Sequence, residues 1–181
     1  MAARRKGRNL ITSYGLFWKV DQTEWLSRDG RKGKHRLLGR LRKKYSRLRV
    51  ADFWSQSGIY VRYGNYGLYY IGVSGRQLGK RIHDHLSDDH AGEWDRFSWF
   101  GFREVTDERD ARGLLTLGKA QTTSPIRLSK ARGDIEAILF RAFAGPGNRR
   151  RPSFGAKLEQ WEQILLADVP RIIQRLGEEA A

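Results

Sequence analysis

Two strand-like runs, Gly58 to Arg62 and Leu68 to Val73, lie on either side of the turn-forming Gly64-Asn65-Tyr66-Gly67, which predicts a β-hairpin. Further strands are expected over Tyr14 to Val20, with Phe17 and Trp18, and over Phe97 to Val105. Helical spacing follows at Leu78, Ile82 and Leu86, and again at Ile135, Ile138, Leu139, Ala142 and Phe143. Leu158, Trp161, Ile164 and Leu165 suggest another helix, and Ile172, Ile173 and Leu176 one more after Pro170. Ser74-Gly75-Arg76-Gln77 fits a capping box, which starts a helix at Ser74. Asp107 to Arg132 reads as a short helix, a loop at Thr122-Thr123-Ser124-Pro125 and then the next helix. The pattern as a whole predicts an α+β fold, a small three-stranded antiparallel sheet flanked by helices.

Side-chain direction then brings chemistry into view. Residues directly opposite on a hairpin share a face, and Tyr60 opposes Tyr70 only if Asn65 is the centre of the loop. A three-residue loop, Gly64-Asn65-Tyr66, would put both phenols on one side; a two- or four-residue loop would separate them. On the following helix Arg81 and His85 are four apart and form a stripe beside the apolar one. A hairpin with two tyrosines thus meets a helix with Arg and His.

These residues resemble the GIY-YIG nuclease superfamily in order and spacing: Gly58-Ile59-Tyr60, Tyr70-Ile71-Gly72, Arg81 and His85, then Glu136 on a later helix and Asn148 just after Pro146. The resemblance covers about Gly58 to Asn148. It implies a metal-dependent endonuclease that hydrolyses phosphodiesters to 5′-phosphate and 3′-hydroxyl ends. Tyr60 would help deprotonate water, Tyr70 would orient water or phosphate, and Arg81 would hold the phosphate. Glu136 would ligate one Mg²⁺, with Mn²⁺ as a substitute, and Asn148 would brace the site. A phenol has a reference pKa of ~10, so about one in a thousand is ionised at neutral pH and a tyrosine base needs nearby positive charge. His83-Asp84-His85 and Asp88-Asp89-His90 also invite a zinc reading, but His83 and His85 point apart on a helix and no Cys is present to complete a cage, so His83 and His90 are expected at the surface.

Charge adds an independent line. Residues 1–50 hold 16 Lys and Arg against 3 Asp and Glu, whereas 51–181 hold 19 against 17, so +13 of the net +15 lies at the front. Within that part, Leu41, Tyr45 and Leu48 recur at helical spacing among Lys43, Lys44 and other cations, although Arg47 to Val50 also alternates like a strand. Arg62, Arg76, Lys80, Arg149, Arg150 and Arg151 add charge near the expected cleft. Nucleic acid, with DNA favoured, is the expected partner. Binding without cleavage at an inactive site is the alternative, and a membrane-surface or protein-interaction module is the weaker third reading.

Length supports one domain, with 1–50 as a basic extension, 51–155 as the nuclease-like core and 156–181 as C-terminal helices completing it. No apolar run approaches a membrane span, and zero Cys fits a reducing cytoplasm, where the protein is expected. One site cuts one strand, so a homodimer is left open, as are DNA versus RNA and the strand structure of the substrate.

Overall fold

The computed structural model describes residues 9–25, 35–41, 47–119, 128–143, 154 and 158–180. They build a nine-stranded mixed sheet, which replaces the small three-stranded sheet that the hydropathy pattern predicts. Its strands are β1 (Ser13–Lys19), β2 (Leu38–Leu41), β3 (Val50–Asp52), β4 (Gly58–Gly64), β5 (Gly67–Ser74), β6 (Arg96–Gly101), β7 (Val105–Arg109), β8 (Leu115–Leu117) and β9 (Glu159–Gln163). They lie side by side in the order β5-β4-β6-β1-β9-β2-β3-β8-β7. Among the described residues the helices are α1 (Leu78–Asp84), α2 (Leu128–Phe143) and α3 (Val169–Ala180), and none is long and apolar enough to cross a membrane.

The extra strands come from segments whose local pattern points elsewhere. Leu158 to Leu165 carries helical spacing, yet Glu159–Gln163 inserts between β1, to which it runs parallel, and β2, to which it runs antiparallel. Trp161 decides the contest, because burying a whole indole against Trp18 and Phe53 outweighs the few tenths of a kcal/mol that separate helix propensities. The Gln163 side chain completes the join: its amide donates to the Lys19 carbonyl at 2.7 Å and its oxygen accepts from the Lys19 N–H at 2.7 Å. Of the basic stretch with helical spacing at Leu41, Tyr45 and Leu48, Leu41 closes β2 and Leu48 stands just before β3, and residues 42–46 lie outside the described residues. In place of the short helix expected after Asp107, β7 runs on to Arg109 and turns back through Asp110 to Gly113 into β8.

The first fifty residues therefore supply β1 and β2 to the middle of the sheet. One face buries Trp18, Phe53, Tyr60, Phe97, Trp99 and Trp161 with Leu78 and Ile82 of α1. The other buries Tyr14, Val61, Tyr63 and Phe100 under Ala137, Ile138 and Ala142 of α2. A third cluster seats Ile172 and Leu176 of α3 on Leu38 and Val50. Tyr60 and Val61 are neighbours in one strand and so point to opposite faces, which puts α1 and α2 on opposite sides of β4.

At the end of β3, the Asp52 carboxylate accepts the Leu37 and Trp54 N–H groups at 3.0 Å each. Burial holds this carboxyl above its ordinary value, and the two N–H groups, Arg112 and Arg36 only partly offset it. A raised carboxyl favours folding while protonated, and that advantage is lost as pH rises from the ordinary aspartate range through the folded value. Asp52→Asn keeps an oxygen for both N–H groups and removes the buried charge. The variant should melt higher than the parent at pH 7, with the gap closing as pH falls below about 4. Thermal melts of both proteins across that range provide the check.

Candidate functional site

Both phenols do reach one face, by a different route from the loop the sequence suggests. Gly64 pairs with Gly67 and Tyr63 with Leu68, so the turn has two residues, Asn65 and Tyr66, closed by Gly67 at φ 103°. That turn alone would separate Tyr60 from Tyr70. The register then slips by one between Tyr63↔Leu68 and Arg62↔Tyr70, leaving Tyr69 as a bulge. Beyond the bulge Tyr60 pairs with Gly72, and Tyr70, two residues from Gly72, returns to the side of Tyr60. The two rings end 6.1 Å apart between centroids.

The helix meets them from above. Ser74 closes β5 and does not cap α1, whose first N–H groups are taken instead by the Gln56 carbonyl from Leu78 at 2.8 Å and the Trp54 carbonyl from Gly79 at 3.0 Å. Leu78, Gly79 and Ile82 are buried, which fixes the rotation of α1 and turns Arg81 and His85 toward the hairpin. His85 Nε2 lies 2.8 Å from the Tyr60 hydroxyl, and its ring centroid is 5.5 Å from that of Tyr70. On the other side of the imidazole, Nδ1 meets the carboxylate of Asp88. An Nδ1–H donating to Asp88 leaves Nε2 as the acceptor of the Tyr60 O–H, so the three side chains form one proton path. Asp88 also accepts the His90 N–H at 3.0 Å, which anchors the turn that carries it.

Charges around the path act in opposite directions. Burial raises the Tyr60 phenol above its ordinary value, with a further rise from Tyr70, while Arg81, by charge and hydrogen bonding, and Arg62 pull it down. The hydrogen bond from His85 holds the Asp88 carboxyl below its ordinary value. Asp88 is thus the ionised end of the path and Tyr60 its protonated end.

Other expected site residues fall in different places. Arg62 is completely buried, so it is not the surface phosphate contact expected of it. Arg76 and Arg81 are exposed, while Lys80 is paired with Asp84 at 2.8 Å. Glu136 is exposed on α2, whose buried side covers the face opposite Tyr60, so the structure does not bring it to the phenols. Asn148, Arg149, Arg150, Arg151, Lys43 and Lys44 lie outside the described residues.

A single ion ligated by Glu136 beside Tyr60 does not fit this arrangement. No three His, Cys, Asp or Glu side chains gather as a ligand set among the described residues, and the only carboxylate found on the Tyr60 path, Asp88, faces His85. His83, expected at the surface, is half-buried against His35 at 4.6 Å and Trp25 at 5.6 Å between ring centroids. His90 accepts or donates at 2.8 Å with the Tyr69 hydroxyl.

Asp88 is the member of this arrangement that the motif pattern does not include. Its signal is its position three after His85, where the chain turns at the end of α1 and brings the two side chains together.

No protein-family model matches the chain, no curated protein matches its sequence, and no solved structure matches it.

Proposed function

We propose that this chain hydrolyses phosphodiester bonds in nucleic acid, DNA foremost, through Tyr60. The observation that carries the reading is the continuous line from the Tyr60 hydroxyl through His85 to Asp88. A phenol above its usual value of ~10 is ionised less than once in a thousand molecules at neutral pH, so waiting for free phenolate would be slow. The line removes that difficulty. As water gives its proton to the Tyr60 oxygen, Tyr60 passes its own to His85 Nε2, and Asp88 stabilises the imidazolium.

The resulting hydroxide attacks phosphorus and the bond to the 3′ oxygen breaks. That oxygen takes a proton from solvent, leaving a 3′-hydroxyl and a 5′-phosphate, and the imidazolium returns its proton to solvent. Arg81 suits the phosphate, because a guanidinium can pair two of its oxygens at once. The resemblance to GIY-YIG nucleases supports the same assignment of Tyr60, Tyr70, Arg81 and His85.

A second reading, binding of nucleic acid without hydrolysis, is favoured by the exposure of Glu136 on the far face. One assay separates the two. End-labelled single- and double-stranded DNA and RNA are incubated with the protein in Mg²⁺, Mn²⁺ or chelator, and product ends are mapped. Cleavage to 5′-phosphate ends, lowered about 10²–10⁴-fold by His85→Ala, is expected. Binding to every substrate with cleavage of none would leave the second reading.

A further inference from the structure

Arg62 stands in β4 two residues after Tyr60, on the same face. Its whole side chain is buried, and none of its three nitrogens meets a hydrogen-bond acceptor among the described residues. Aromatic faces surround it instead. The guanidinium carbon lies 4.4 Å from the Tyr70 ring centre, 5.1 Å from that of Trp94 and 5.6 Å from that of Tyr69. The bulge explains this cage, because it lets consecutive tyrosines of β5 both approach one residue of β4.

A charge held in such a place is costly unless something offsets it. The ring faces supply part of the offset, since desolvated cation–π contacts are the strong ones. No ion pair found among the described residues includes Arg62, and its charge acts at longer range on the groups around it, Asp88 and Tyr60 among them. Solvent and salt weaken that action little in a buried position. The nearest ring, Tyr70, is itself 6.1 Å from the Tyr60 ring.

We propose that Arg62 is the buried cation of the site, which acts beside Arg81 to offset the negative charge on the Tyr60 oxygen as its proton passes to His85, and that it never contacts substrate. It is a positioning residue that acts through Tyr60. The inference rests on the role given to Tyr60 above but is measured without cleavage. The charged and titratable groups around Tyr60 are Arg81 from α1, His85 at its C-terminal end with Asp88 behind it, Tyr70 from β5 and Arg62 from its own strand. Arg81 is exposed and Asp88 is tied to His85, so Arg62 is the cation that solvent screens least.

The test follows the titration of Tyr60 itself by the ring-carbon NMR signal of ¹³C-labelled tyrosine, assigned by its loss in Tyr60→Phe. Arg62→Met and Arg62→Gln remove the charge, and using two replacements guards against one of them failing to fold. Arg62→Lys keeps the charge. In the neutral variants the Tyr60 titration should move to higher pH, with less phenolate at a given pH, while Arg62→Lys stays close to the parent. An unmoved Tyr60 titration in a folded neutral variant overturns the proposal, as does a shift in Arg62→Lys as large as theirs. Absence of cleavage on every substrate would defeat the hydrolase reading and leave this titration result standing.

Discussion

Replacing Tyr60 by Phe should lower kcat/KM for nucleic acid cleavage about 10²–10⁴-fold while the protein still folds and still binds its substrate. The ring is buried among Leu78, Ile82, Phe97 and Trp99, and Phe keeps all of that packing. Only the hydroxyl is lost. His85 Nε2 then has no proton donor at 2.8 Å, and a buried acceptor left in that state costs about 1–3 kcal/mol. For a domain of this size that is a fall in Tm of roughly 2–12 °C. Rates on end-labelled oligonucleotides, Kd from fluorescence anisotropy and a melt of the same preparation provide the three readouts. Cleavage unchanged by Tyr60→Phe would show that water is activated elsewhere and would remove the Tyr60–His85–Asp88 path from the chemistry.

The path was half legible in the sequence, and the missing half has a physical cause. Spacing brought Arg81 and His85 onto one stripe of α1, and their direction followed from the buried Leu78 and Ile82. The shared face of Tyr60 and Tyr70 was reached by the wrong route. An odd loop and a two-residue turn with a one-residue bulge give the same parity, and local sequence does not distinguish them. The bulge is tied to distant residues, because it brings both Tyr69 and Tyr70 to Arg62 together with Trp94 from 32 positions along the chain.

The start of α1 shows the same limit, since carbonyls of Gln56 and Trp54 do the work that Ser74 and Gln77 seemed placed to do. So does the size of the sheet. β2, β3, β8 and β9 have three to five residues each, too few to show a period, and every one is held by a partner far away in sequence. Motif spacing also carried Glu136 into the site, because distance along the chain cannot tell which face of a sheet a helix will cover.

The two outer glycines of the tyrosine tripeptides should fail in different ways when replaced by Ala. A Cβ on Gly58 would lie 2.1 Å from the carbonyl oxygen of Phe100, a backbone atom of the strand paired with β4. Neither strand can yield without losing pairing at Gly58↔Gly101 and Ile59↔Phe100, so Gly58→Ala should destabilise the fold by about 3 kcal/mol or more, a large part of a typical 5–15. A Cβ on Gly72 would instead lie 2.3 Å from the Tyr60 hydroxyl and its ring carbon. What must move there is a side chain, and moving it breaks the contact with His85. Gly72→Ala should therefore lose cleavage nearly as fully as Tyr60→Phe, with a smaller loss of stability than Gly58→Ala. A double-mutant cycle isolates the cause. In a Tyr60→Ala background the clash has no partner, so adding Gly72→Ala should change Tm by little, whereas Gly58→Ala should keep its full effect there. Equal penalties for Gly72→Ala with and without the phenol would mean that the glycine serves the strand and not the site.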